Sequence, residues 1–174
     1  FSNDNFGFVK LFQNVHHTFG QCAIDNPQKE FIIKLKNIND NGWKNEVIKI
    51  IETKTKVSFD KITNLKFSSD QAPNLINSSD IIIGFNSTVL LESIINNKKT
   101  IIPVFDEAIN EYKDNVYYTK YFSLFKVANS KHQLKDLISY DFNFKFNKMK
   151  QDRIIREFLG FSDGKTLDRF YSYL

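Results

Sequence analysis

A chain of 174 residues that is 41% hydrophobic and 15% aromatic carries enough apolar surface to bury a core of its own and fits a single domain. Its 24 basic and 20 acidic residues leave a formal charge of +4, an ordinary solubility balance, and the scattered basic residues argue against a nucleic-acid module. The lone cysteine excludes an internal disulfide and a cysteine-cluster metal site, which fits a reducing compartment, and no apolar run approaches the roughly 20 residues needed to span a bilayer.

Phe8, Leu11, Phe12, Val15, Phe19, Cys22 and Ala23 recur at helical spacing and predict an amphipathic helix from about Phe8 to Ile24, ending before Asn26-Pro27. His16 and His17 belong to it. Neighbours on a helix point about 100° apart, so this pair cannot chelate a metal as an i, i+4 pair can; both are read as surface or boundary residues. Cys22, on the apolar face, is expected to be buried. Glu30 to Leu35 reads as a strand. Trp43, Val47, Ile50 and Ile51 have helical spacing, and a short strand falls within Ile62 to Phe67. A brief helix follows from Gln71 to Ser79, with Pro73 in its first turn and Ala72, Leu75 and Ile76 facing inward.

The most informative stretch runs from Asn77 to Pro103. Ile81 to Phe85 is an uninterrupted apolar run, the pattern of a strand buried on both faces of a parallel sheet. Asn86, Ser87 and Thr88 are residue types that cap free N–H groups, and the helix-forming run Val89-Leu90-Leu91-Glu92 follows at once. After the polar break Asn96 to Lys99, Thr100 to Phe105 supplies a second strand and completes a βαβ unit. Unpaired N–H groups at such a turn favour an anion, so a phosphate is expected beside Asn86, Ser87 and Thr88, with Glu92 one turn further in to accept hydrogen bonds from sugar or ribose hydroxyls. The same residues also suit ordinary helix capping.

Beyond Pro103, Asp106, Glu107 and Glu111 follow a strand's C-terminal end, the edge at which open α/β sheets bind ligands; they suit either a cleft or a solvent-facing loop. Tyr112, Tyr117, Tyr118, Tyr121 and Phe122 form an aromatic cluster that serves as packing or as a stacking surface. Leu124 to Ala128 predicts a last strand, Asn129-Ser130 a cap, and Lys131 to Tyr140 a helix with Leu134, Leu137 and Ile138 inward. The next helix interleaves Lys145, Lys148, Lys150, Arg153 and Arg156 with Phe144, Phe146, Met149, Ile154, Ile155 and Phe158. Such a helix suits a solvated face on a core-packed element or contact with an anionic membrane surface. A turn at Asp163-Gly164 and a final helix carrying Leu167, Phe170, Tyr171 and Leu174 end the chain. No Gly-x-Gly-x-x-Gly, Walker A, His-Glu-x-x-His or cysteine pair is present, which removes the usual dinucleotide, ATP and zinc readings.

The run Ser-Asp-Ile-Ile-Ile-Gly-Phe-Asn-Ser-Thr-Val-Leu-Leu-Glu-Ser from Ser79 to Ser93, followed by Thr100-Ile101-Ile102-Pro103, resembles the donor-binding half of GT-B glycosyltransferases, especially bacterial enzymes of capsule and surface-carbohydrate synthesis. The resemblance implies a Rossmann-like α/β domain over residues 1–174, a parallel sheet flanked by helices, forming the C-terminal part of a two-domain protein. It assigns Ser87 and Thr88, with Asn86 beside them, to the phosphate of an activated sugar, and Glu92 to hydroxyls. In the family the first strand ends in Lys-x-His-Pro near the cleft; Lys34 matches, whereas Lys36-Asn37 stands where His-Pro would. Lys34, Asp106 and Glu107 are therefore candidate cleft residues. The implied activity is transfer of a sugar from a nucleotide-activated donor to a glycan or lipid-linked acceptor held by an N-terminal domain. It needs no metal and no cofactor, and is placed in the cytoplasm or at the inner face of the membrane. A sugar-nucleotide epimerase of similar fold and a non-catalytic α/β interaction domain are the alternatives.

Overall fold

Stretches of seven residues or more with an apolar face become helices here, and short extended runs between them become strands that pair parallel within each sheet. The computed structural model describes residues 7–36, 41–144, 147–160 and 164–165. In chain order the elements are α1 (Val9–Asp25), β1 (Phe31–Lys34), α2 (Asn41–Thr55), β2 (Leu65–Ser68), α3 (Ala72–Ser78), β3 (Ile81–Ile83), α4 (Val89–Ile95), β4 (Lys99–Pro103), β5 (Lys126–Ala128), α5 (Lys131–Ser139) and α6 (Lys148–Leu159), with short 3-10 turns between some of them. The architecture is α/β, with two small parallel sheets flanked by helices. β1 pairs with β2 from Phe31 opposite Leu65 to Lys34 opposite Ser68; β4 lies between β3 and β5, with Ile81 opposite Lys99 and Ile101 opposite Lys126.

The helix α1 ties the two sheets together. At its C-terminal end the Asn26 side chain donates to the Cys22 carbonyl, and the Asn64 amide at the entry to β2 donates to the carbonyls of Ala23, Asn26 and Lys29. At its N-terminal end, the Glu107 carboxylate just beyond β4 accepts the backbone N–H groups of Lys10 and Leu11 at 2.8 and 2.9 Å. At 1.5 Å per residue its 17 residues span about 25 Å, from the N-terminal ends of β1 and β2 to the C-terminal end of β4. The C-terminal ends of β1 and β4 therefore lie on one side of the molecule.

Beneath α1 runs one continuous apolar core, including Leu11, Val47, Ile51, Leu90, Ile101, Ile102, Leu134 and Ile154, each fully or almost fully buried. Gly20 lets α1 approach α2: a Cβ there would stand 2.7 Å from Ile51 Cγ2. Several expectations change. Ile81, Ile82 and Ile83 are half-buried, because β3 is the edge of its sheet and not an interior strand. His16 is buried, not at a boundary, and its ring packs between Phe12 and Trp43. In α3 only Ile76 is buried, leaving Ala72 and Leu75 partly exposed. In α6, Gln151, Ile154 and Ile155 face the core while Met149 stands 81% exposed. The final turn and helix lie largely outside the described residues, as do Asn37, Lys145 and Phe146. Among the described residues no helix is long and apolar enough to cross a membrane.

Candidate functional site

The turn between β3 and α4 forms because three local features agree. Gly84 closes the strand where a Cβ would meet Leu90 Cδ2 at 2.9 Å, so the strand end can lie directly on α4. Asn86 then adopts a left-handed backbone with φ 47°, a conformation its short amide side chain tolerates. Ser87 accepts the Val89 N–H through its hydroxyl at 3.3 Å, and its carbonyl accepts from Leu90. Thr88, at the N-cap of α4, makes no side-chain cap and is exposed. The backbone N–H groups of Asn86, Ser87 and Thr88 donate no hydrogen bond to any described residue. Glu92 sits one turn into α4, half-buried, its carboxylate likewise without a partner among the described residues.

The expected phosphate trio divides into two roles. Ser87 and Thr88 keep their N–H groups open, whereas the Asn86 side chain is occupied at both ends: its amide donates to the Asn115 carbonyl and its oxygen accepts the Tyr117 N–H, each at 2.8 Å. The Tyr118 hydroxyl adds a longer contact to the Ser87 carbonyl at 3.4 Å. Asn86 thereby latches the loop 115–118 onto the turn, with Tyr118 buried and the Tyr117 ring exposed beside it. Composition flagged the tyrosines only as a cluster. Nothing local in the sequence marks Tyr117 as the exposed one, since its position depends on a hydrogen bond spanning 31 residues.

The three candidate cleft residues have different surroundings. Lys34 is exposed at the end of β1, its ammonium folded back on the Leu35 carbonyl. Asp106 has φ 51° and accepts from the Asn14 amide at 2.6 Å. Glu107 is 8% exposed and committed to the N-terminus of α1. The two acids thus bond to α1 residues. Lys34, Asp106 and the 86–88 turn do share the C-terminal side of the strands.

Two shallow, open cavities lie elsewhere. One of about 270 Å³ is lined by Ser123, Phe125, Lys126, Asn143 and Phe144, and one of about 170 Å³ lies between α1 and α5. Neither is lined by residues 84–92. No three His, Cys, Asp or Glu side chains among the described residues group as metal ligands. No family model, curated protein or solved structure matches the chain.

Proposed function

We propose that this chain is the donor-binding half of a GT-B-type glycosyltransferase, a Rossmann-like domain that holds a nucleotide-activated sugar for transfer to a surface glycan. Three consecutive unpaired N–H groups at the C-terminal end of β3 carry this reading. A departing phosphate gains negative charge as the glycosidic bond breaks, and fixed N–H donors stabilise that charge without having to reorganise. The Ser87 and Thr88 hydroxyls add two further donors, and the free Glu92 carboxylate is placed to accept from hydroxyls. A second domain would supply the acceptor site and close the cleft, which accords with the exposure of Thr88 at the turn. The acceptor is a glycan or a lipid-linked glycan, and the exposed Met149 and Phe158 with the basic residues of α6 suit peripheral contact with a membrane.

The test is a titration of the isotopically labelled chain with nucleoside mono- and diphosphates, followed by amide shifts. Shifts centred on residues 84–92 are expected. Ser87→Ala or Thr88→Ala should weaken the nucleotide about ten- to a hundredfold, the loss of one hydrogen bond to a charged group. Glu92→Gln should weaken ribonucleotides more than their deoxy analogues. No shift in this region at millimolar nucleotide would defeat the proposal and favour a non-catalytic interaction domain.

A further inference from the structure

Two adjacent tyrosines in the loop 115–118 have opposite fates: Tyr118 is 8% exposed and Tyr117 58%. Tyr118 has φ 62°, a left-handed conformation that is an outlier for so bulky a residue and costs free energy to hold. Several contacts hold it. Its ring packs on Phe125 and Phe158, its hydroxyl lies 3.4 Å from the Ser87 carbonyl, and the Asn86 side chain bonds the loop on both sides of residue 116. Asn86 is itself left-handed, so two strained residues far apart in sequence fix this loop against the β3–α4 turn.

What the loop presents beside the turn is aromatic. The Tyr117 ring stands edge-on to Tyr118 at 6.2 Å between centroids, and the Phe158 ring edge-on to Tyr118 at 5.1 Å. Phe158 continues the α6 stripe that buries Gln151, Ile154 and Ile155, at i, i+3, i+4 and i+7, yet it is 46% exposed. The apolar stripe of α6 therefore runs out into solvent here. Two exposed rings are joined through a buried one whose hydroxyl touches the turn. Exposed apolar surface gathered in one place is the mark of a binding face, where single scattered residues are not.

We propose that this aromatic face seats the planar base of a nucleotide, with Tyr117 as the stacking ring and Asn86 as the positioning residue that fixes it beside the turn. The inference rests on the reading of residues 86–88 as a phosphate site and adds what lies next to the phosphate. The occupant follows from adjacency: the Tyr117 N–H is bonded to the side chain of the residue that opens the turn, so ring and N–H donors serve one ligand. A nucleotide carries both parts, an anion and a flat π-face held a sugar apart. Stacking tolerates any base, because every base has such a face, so this chain selects for the presence of a base more than for its identity.

Adenosine and uridine diphosphates, with pyrophosphate as the probe that lacks a base, test this on the isotopically labelled chain. Both nucleotides should shift the amides of residues 115–118 as well as 84–92, and pyrophosphate the latter alone. Tyr117→Ala should weaken both nucleotides about tenfold and leave pyrophosphate unchanged, whereas Tyr117→Phe, which keeps the ring, should bind like the parent. Asn86→Gly should reproduce the Tyr117→Ala loss, and the double variant should lose no more than either alone, since both act through one ring. Tyr117 is exposed, so its variants should keep the parent's circular dichroism spectrum. Nucleotides bound equally well by the parent and by Tyr117→Ala, with residues 84–92 still shifting, would overturn the stacking and leave the phosphate reading intact. Absence of any shift at 84–92 with either nucleotide or pyrophosphate would overturn both.

Discussion

His16 limits how acid a solution this fold tolerates. Burial pushes its imidazole down to about 4, even though Nδ1 is held at 2.9 Å from the Phe12 carbonyl, while the unfolded chain leaves it near 6.5. Between these values the unfolded state takes up a proton that the folded state refuses, so stability falls as pH drops from about 6.5 to about 4. The loss approaches 3 kcal/mol, at about 1.4 kcal/mol per pH unit. Urea unfolding of the parent and of His16→Leu at neutral and acid pH checks this: the difference between them should move in the variant's favour by about that amount. Cys22, fully buried, has its thiol pushed up to about 11, chiefly by burial, so a thiol reagent should label it only after denaturation. Cys22 was legible in the sequence because helical periodicity put it on the apolar face. His16 was not, since two adjacent histidines look alike until the aromatic rings of Phe12 and Trp43 decide which one is enclosed. Asn86 was legible as a turn residue, but its latch was not, because its partners at 115 and 117 lie far along the chain.

Element by element, periodicity located helices well and misjudged surroundings. The βαβ unit around residues 81–103 and the cap at Ser130, whose hydroxyl accepts the Gln133 N–H at 3.1 Å, follow from local chemistry. That β3 is an edge strand follows from strand order, which no local pattern contains. Glu107 illustrates the same limit: an acid beyond a strand reads as a ligand group until α1 arrives to occupy it. Glu107→Ala should cost about 2 kcal/mol by leaving two N–H groups of α1 unpaired, lowering Tm by roughly 4–8 °C. Circular dichroism melting measures it. Gly84→Ala should cost about 1–3 kcal/mol, because the added carbon must displace the fully buried Leu90 side chain or lift α4 from β3. Asn86→Gly accepts the positive φ but removes both latch bonds, so faster hydrogen exchange at the Tyr117 amide, with little change at Ile101, would show the latch acting on the loop alone.

For the whole molecule, the single core joining both sheets predicts one cooperative unfolding transition, which coincident fluorescence and circular dichroism curves would confirm. The grip of Glu107 on α1 has a further consequence, for the order of events during synthesis. Its two bonds bridge 96 and 97 positions of sequence, so α1 cannot be capped until the loop after β4 has been made. A free 17-residue helix is marginal in water, and a contact this long-range forms late. The nascent α1 segment therefore waits with an apolar stripe exposed, including Leu11, Phe12 and Val15, until the loop after β4 emerges.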